Sequence, residues 1–149
     1  MDLDAIKAMR VSDLIEREGY LFLWTTNRWL ERAFEVVRAW DCTPKQTLTW
    51  CKPQGAKGLG GMFATNTEFV IVAQKIREGT NAHGSRTNQE REGSSWFEWP
   101  KQAHSKKPEA FQDVVERVCP GPYLELFARR ARLGWSVWGN EVESNVDIS

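Results

Sequence analysis

Three short apolar runs, Tyr20-Leu21-Phe22-Leu23-Trp24, Thr47-Leu48-Thr49-Trp50-Cys51 and Glu68-Phe69-Val70-Ile71-Val72-Ala73, are set apart by helical or loop-like stretches, and this alternation constrains the fold more than anything else in the chain. Strand and helix in turn point to an α/β fold with a mostly parallel sheet rather than to a bundle or a sandwich. Residues 68–73 have the near-continuous apolar character of a strand covered on both faces. Between the first two runs, Trp29, Leu30, Ala33, Phe34, Val37 and Trp40 recur at helical spacing, with Arg28, Glu31, Arg32 and Glu35 opposite. Residues 27–40 therefore read as an amphipathic helix, and Thr25-Thr26-Asn27 can cap it.

The second half continues the pattern. Pro108 suits the first position of a helix, Glu109 favours the positive end of its dipole, and Phe111, Val114, Val115 and Val118 form one stripe. Cys119-Pro120-Gly121-Pro122 stops that helix, and residues 123–127 and 135–138 read as two strands. Residues 3–17 are expected to form one or two short helices with Leu3, Ile6, Val11, Leu14 and Ile15 inward. The Gly-rich stretch at 55–61 lacks the spacing of a phosphate loop. Residues 77–95 read as a long polar surface loop, and residues 142–149 as a frayed tail. With 149 residues and 41% hydrophobic content, one domain spanning 1–149 is expected.

Composition excludes several classes. No run approaches the roughly 20 apolar residues that cross a bilayer, and Met1-Asp2-Leu3-Asp4 is unlike a signal peptide, so a cytoplasmic protein with no membrane partner is expected. Cys42, Cys51 and Cys119 are odd in number and lack a Cys-x-x-Cys pair, which supports neither a disulfide framework nor a metal site. They read as reduced and buried. Net charge is zero, yet residues 101–132 hold seven Lys or Arg against four acids, a local positive field. Of the eight Trp, Trp24, Trp29, Trp40, Trp50, Trp135 and Trp138 fall on apolar faces. Trp96 and Trp99 sit in irregular chain, open to packing or to stacking on a base.

Ligands of open parallel sheets sit outside the carboxyl ends of the strands, where Thr25, Thr26, Asn27, Lys52 and Arg129 lie. Lys107 opposes the dipole of the helix it precedes, which an anion held between its ammonium and the first amides would explain. Glu125 is able to accept ribose hydroxyls and Arg129 to donate to them, or the two form a salt bridge at a strand end. Asn140 and Glu141 after Gly139 complete a candidate nucleoside site. His104 reads as a hydrogen-bonding support rather than a base, and no residue is assigned a catalytic role. Neither a Ser-His-Asp spacing nor a Walker loop is present.

His104-Ser105-Lys106-Lys107-Pro108 and Glu125-Leu126-Phe127-Ala128-Arg129-Arg130, with Gly134-Trp135 and Trp138-Gly139-Asn140-Glu141, resemble the N6-adenine methyltransferase family named after the seventy-kilodalton subunit of the messenger-RNA adenosine methyltransferase, which has bacterial and phage members. Leu21-Phe22-Leu23-Trp24-Thr25-Thr26-Asn27, Trp50-Cys51-Lys52-Pro53, Gly58-Leu59-Gly60 and Thr67-Glu68-Phe69-Val70 fall in the same order. The resemblance implies a Rossmann-like methyltransferase sheet, S-adenosyl-L-methionine as cofactor, and adenine-containing DNA or RNA as partner. It matches Lys107 to a lysine at the methionine carboxylate, Arg129 to an arginine at the ribose, and Asn140-Glu141 to the pair closing on the nucleoside. With Glu125 these are the candidate cofactor residues; Asn27, Trp50, Lys52 and His104 are the candidates for substrate.

Family members carry Asp-Pro-Pro-Trp on their first strand to orient the adenine amino group, and here no two prolines are adjacent. The sheet is thus expected to be N-terminally incomplete. Three readings follow: a truncated methyltransferase inactive alone, a non-catalytic subunit that binds nucleic acid or completes a homo- or hetero-oligomer, and a plain nucleotide-binding module.

Overall fold

The computed structural model describes residues 2–53, 61–77, 92–101, 106–139 and 142–147. Asp2 starts the first helix, α1 (Leu3–Ala8), its carboxylate accepting the Ala5 N–H at 2.8 Å. A single 3₁₀ turn at Val11–Leu14 follows, so the front of the chain is two short helical pieces, as its spacing predicts. Strand β1 (Tyr20–Thr25) leads through a 3₁₀ turn at Asn27–Trp29 into α2 (Leu30–Ala39). Then come β2 (Thr43–Cys51), β3 (Thr67–Gln74), β4 (Trp96–Glu98), α3 (Glu109–Val118), β5 (Tyr123–Leu126) and β6 (Trp135–Trp138). Pro108 is the N-cap of α3 rather than its first residue.

The sheet is mixed, which corrects the expectation of a mostly parallel one. Its order is β1-β3-β2-β4; β1 and β2 each pair antiparallel with β3, β2 pairs parallel with β4, and β5 and β6 form a separate parallel pair. The reason is physical and simple. The β1–α2–β2 crossover does deliver two strands running the same way, but β3 returns between them and takes the hydrogen bonds of both. Strand β4 went unrecognised in the sequence because three residues are too few to show alternation; it is recruited by register, Trp50 opposite Phe97.

Period-two alternation along β1 divides the core. Leu21 and Leu23 face α1 and α2, where Ala33, Val36, Val37 and Trp40 are buried. Phe22 and Trp24 face α3, where Phe111 and Val115 close on Val70. Each fully buried aliphatic side chain such as Ile71 or Val37 is worth roughly 1.5–3 kcal/mol. The Trp40 indole donates to the Ile6 carbonyl at 3.0 Å and pins α1 to α2. Trp29, expected inside, is 52% exposed, because the 3₁₀ turn rotates it off the apolar face of α2. Cys42 and Cys119 are buried and Cys51 half-buried, all three as free thiols; burial, first, and then Asp41 push the Cys42 thiol up to about 11. No helix among the described residues is long and apolar enough to cross a membrane.

After β5, Phe127 takes φ 56°, a strained left-handed turn for a bulky residue. This brings the Ala128 N–H to the Trp138 carbonyl at 2.9 Å. The close approach requires Gly139: a Cβ there would stand 2.8 Å from both N and O of Ala128, backbone atoms that cannot swing aside. Gly139→Ala is expected to cost about 1–3 kcal/mol, read as a lowered urea midpoint with an unchanged slope. The described residues of the tail, 142–147, carry no regular element, but the Asn145 side chain accepts the Val137 N–H at 2.8 Å.

Candidate functional site

The carboxyl ends of β1 and β2 and the amino end of β3 meet on one rim, as the antiparallel register demands: Thr25 lies opposite Phe69, and Cys51 opposite Thr67. That register puts Glu68 between Lys52, one residue past β2, and Lys107, one residue before the N-cap of α3. The Glu68 carboxylate accepts from Lys52 Nζ at 2.5 Å through Oε2 and from Lys107 Nζ at 2.5 Å through Oε1. Lys52 Nζ also sits 4.9 Å from the centre of the Trp50 ring and Lys107 Nζ 5.2 Å from that of Trp24. The two indoles meet edge to face at 5.7 Å. Trp50 is 2% exposed and donates to the Trp99 carbonyl, so it forms the floor of the cluster.

On the other side of Lys107 opens a cavity of about 620 Å³ that β1 and β5 both line. β1 is an edge strand, and β5 belongs to the second sheet, so the cavity lies between two strand edges. Lys107, Glu125, Arg129 and Arg130 all reach it. Its remaining lining is largely apolar, with Leu21, Leu23, Phe111, Leu124 and Leu126 among the contributors. Glu125 accepts from Gln112 Nε2 at 2.9 Å. Arg130 donates to the Lys107 carbonyl at 3.2 Å and pairs with Glu109 at 3.1 Å, which ties the end of β5 to the start of α3.

The structure therefore brings together Lys107, Glu125, Arg129 and, through Glu68, Lys52. Thr25 is buried in the rim and Asn27 is exposed in the 3₁₀ turn; neither lines the cavity. His104, Asn140 and Glu141 lie outside the described residues, as does most of the 77–95 loop. Trp99 packs in the core, stacked 4.7 Å from Phe97, whereas Trp96 is 55% exposed. Two residues escaped sequence reasoning. Glu68 was signalled only by being the one charge on an otherwise apolar strand, and Arg130 had no signal that set it apart from Arg129.

The carboxylates of Glu68, buried, and Glu125, half-buried, are tuned in opposite directions. Burial alone would raise the pKa of Glu68, but the hydrogen bonds and charges of Lys107 and Lys52 outweigh it and hold the carboxyl below its ordinary value. Burial pushes Glu125 up, against the weaker pull of Arg130 and Arg132. With a depressed folded pKa, the stability owed to Glu68 is present above the unfolded carboxylate pKa and lost as pH falls through the folded one. For Glu125 the sign reverses: its charged form costs stability at neutral pH, and acidification recovers it. Glu68→Gln is accordingly expected to destabilise by roughly 3 kcal/mol at neutral pH and to flatten the acid limb of the stability curve. Glu125→Gln should stabilise at neutral pH, with urea melts from pH 7 to pH 3 as the measurement.

Comparison with known proteins follows the same line. The family model described as MT-A70 matches residues 1–141. The chain is similar to the type II methyltransferase M.MunI of Mycoplasma sp, with 26% identity over 146 residues covering 97% of this chain and 60% of that protein. It is similar to the N(6)-adenosine-methyltransferase MT-A70-like protein of Drosophila melanogaster at 26% identity, over 96% of this chain and 24% of that one. A segment of 44 residues, 29% of this chain and 9% of the other, is 48% identical to the N(6)-adenine-specific methyltransferase METTL4 of Homo sapiens. The chain thus spans about three-fifths of the bacterial relative and about a quarter of the fly one.

Proposed function

The chain belongs to the MT-A70 family, and from that premise we propose that it serves methyl transfer from S-adenosyl-L-methionine to the N6 amino group of adenine in DNA or RNA. The sheet is read as part of a Rossmann-like methyltransferase fold. The observation that carries the proposal is the convergence of Lys107, Glu125 and Arg129 on one cavity beside the amino end of α3.

These donors and acceptors fit the cofactor's chemistry. Lys107 has three N–H donors, of which Glu68 takes one, so its ammonium and the first amides of α3 suit a carboxylate. Glu125, oriented by Gln112, suits ribose hydroxyls, and Arg129 adds a donor at the same wall. The rest of the lining is largely apolar. When bound, the cofactor supplies an electrophilic methyl group on a sulfonium. Orienting adenine is a separate task, which the family gives to Asp-Pro-Pro-Trp, and these 149 residues hold no two adjacent prolines.

Binding is the direct test. Calorimetry with S-adenosylhomocysteine should give a saturable isotherm, and Lys107→Ala should weaken it by roughly ten- to a hundredfold, the worth of one charge-assisted hydrogen bond. No binding to the wild-type chain would remove the cofactor reading. The surplus of Lys and Arg over acids in residues 101–132 supports a second reading, in which the chain is a non-catalytic partner within a methyltransferase assembly and holds nucleic acid through this basic segment. Methyl transfer that needs an added catalytic chain would decide for it.

A further inference from the structure

Lys52, Glu68 and Lys107 carry two positive charges and one negative, held within a single cluster. We infer that Glu68 is a positioning residue that locks the two lysines into one receptor of net charge +1, matched to a single carboxylate and not to a phosphate dianion. The inference deepens the proposed function and rests on its reading of Lys107 as the group that meets the cofactor's carboxylate.

The geometry leaves the two ammonium groups little independence. Each Glu68 oxygen is committed to a different lysine, and each lysine is backed by a different indole of one contacting pair. The side chains are 15%, 12% and 29% exposed for Lys52, Glu68 and Lys107, so water screens them poorly. Among the neighbouring charges, Arg130 and Glu109 are paired with one another, and Glu125 and Arg129 on the cavity wall are opposite in sign, so the four sum to zero. An arriving carboxylate meets two attractions and one repulsion and brings the cluster to neutrality. A dianion overshoots, leaving an uncompensated negative charge where desolvation makes it costly. Without Glu68 the receptor would be +2 and its preference would invert.

The test is a titration of the ¹⁵N-labelled chain with sodium acetate and, separately, with inorganic phosphate at constant ionic strength and pH about 8, where phosphate is dianionic. The indole N–H signals of Trp24 and Trp50 report both. In Glu68→Gln the affinity ratio is expected to move toward phosphate by about tenfold or more, and Glu68→Asp should stay with the wild type. Because Glu68→Gln is destabilising, Glu68→Gln combined with Lys52→Met provides the control: it restores a net charge of +1 and should return the wild-type ratio. A ratio unmoved in Glu68→Gln, a double variant that behaves as the single one, or no saturable shift with either anion overturns the inference. If S-adenosylhomocysteine leaves these signals in place while the acetate and phosphate results hold, the cofactor reading falls and the charge matching stands.

Discussion

Given radiolabelled S-adenosyl-L-methionine and adenine-containing DNA or RNA, the 149 residues by themselves are expected to transfer no methyl group above a no-protein control. Methyl transfer to an exocyclic amine needs the nitrogen aligned on the sulfonium, and alignment of that kind is worth many powers of ten in rate. In the family the chain belongs to, alignment is the task of a carboxylate, a proline carbonyl and an aromatic ring in Asp-Pro-Pro-Trp. Pro44, Pro53, Pro100, Pro108, Pro120 and Pro122 stand singly here, so none of the 149 residues reproduces it. The expected pattern is cofactor binding without turnover, which separates loss of alignment from loss of the site. Methyl incorporation abolished by Arg129→Ala would show that another part of the chain orients adenine.

The second large effect concerns association. β1 is an edge strand with apolar side chains on both faces and without the lysine, proline or bulge that protects an edge. Across the cavity β5 contributes Leu124 and Leu126 on either side of Glu125. Two such edges around a cavity of about 620 Å³ favour the addition of an extended segment. The isolated chain is therefore expected to be oligomeric or to aggregate at micromolar concentration, through residues 20–25 or 123–127. Size-exclusion chromatography with light scattering measures it. A monomer that melts in one cooperative transition would show that these edges are protected in solution.

How much of this was legible in the sequence depended on the range of the interactions involved. The stripe of Phe111, Val114 and Val115 located α3, and unbroken apolar runs located β1 and β3, because burial leaves its mark directly on adjacent residues. Lys107 was legible for a local reason too, since a cation before a helix start is unfavourable unless something answers it. What answers it in the structure is Glu68, 39 residues away, brought in by pairing that leaves no local trace. The sheet order was hidden for the same reason: nothing in β1 or β2 records that β3 comes back between them. Arg130 and Arg129 are adjacent and chemically identical, and no local signal tells that Arg130 is the one paired with Glu109.

The central place of β3 also bears on how the molecule is made. A ribosome releases β1 and β2 first, yet every backbone hydrogen bond between them and the centre of the sheet waits for Thr67–Gln74 to leave the exit tunnel. At about 5–20 residues per second, β1 spends several seconds with both edges bare. During that interval α1 and α2 can shelter Leu21 and Leu23, which makes the early helices, rather than any strand, the nascent chain's own guard against premature pairing.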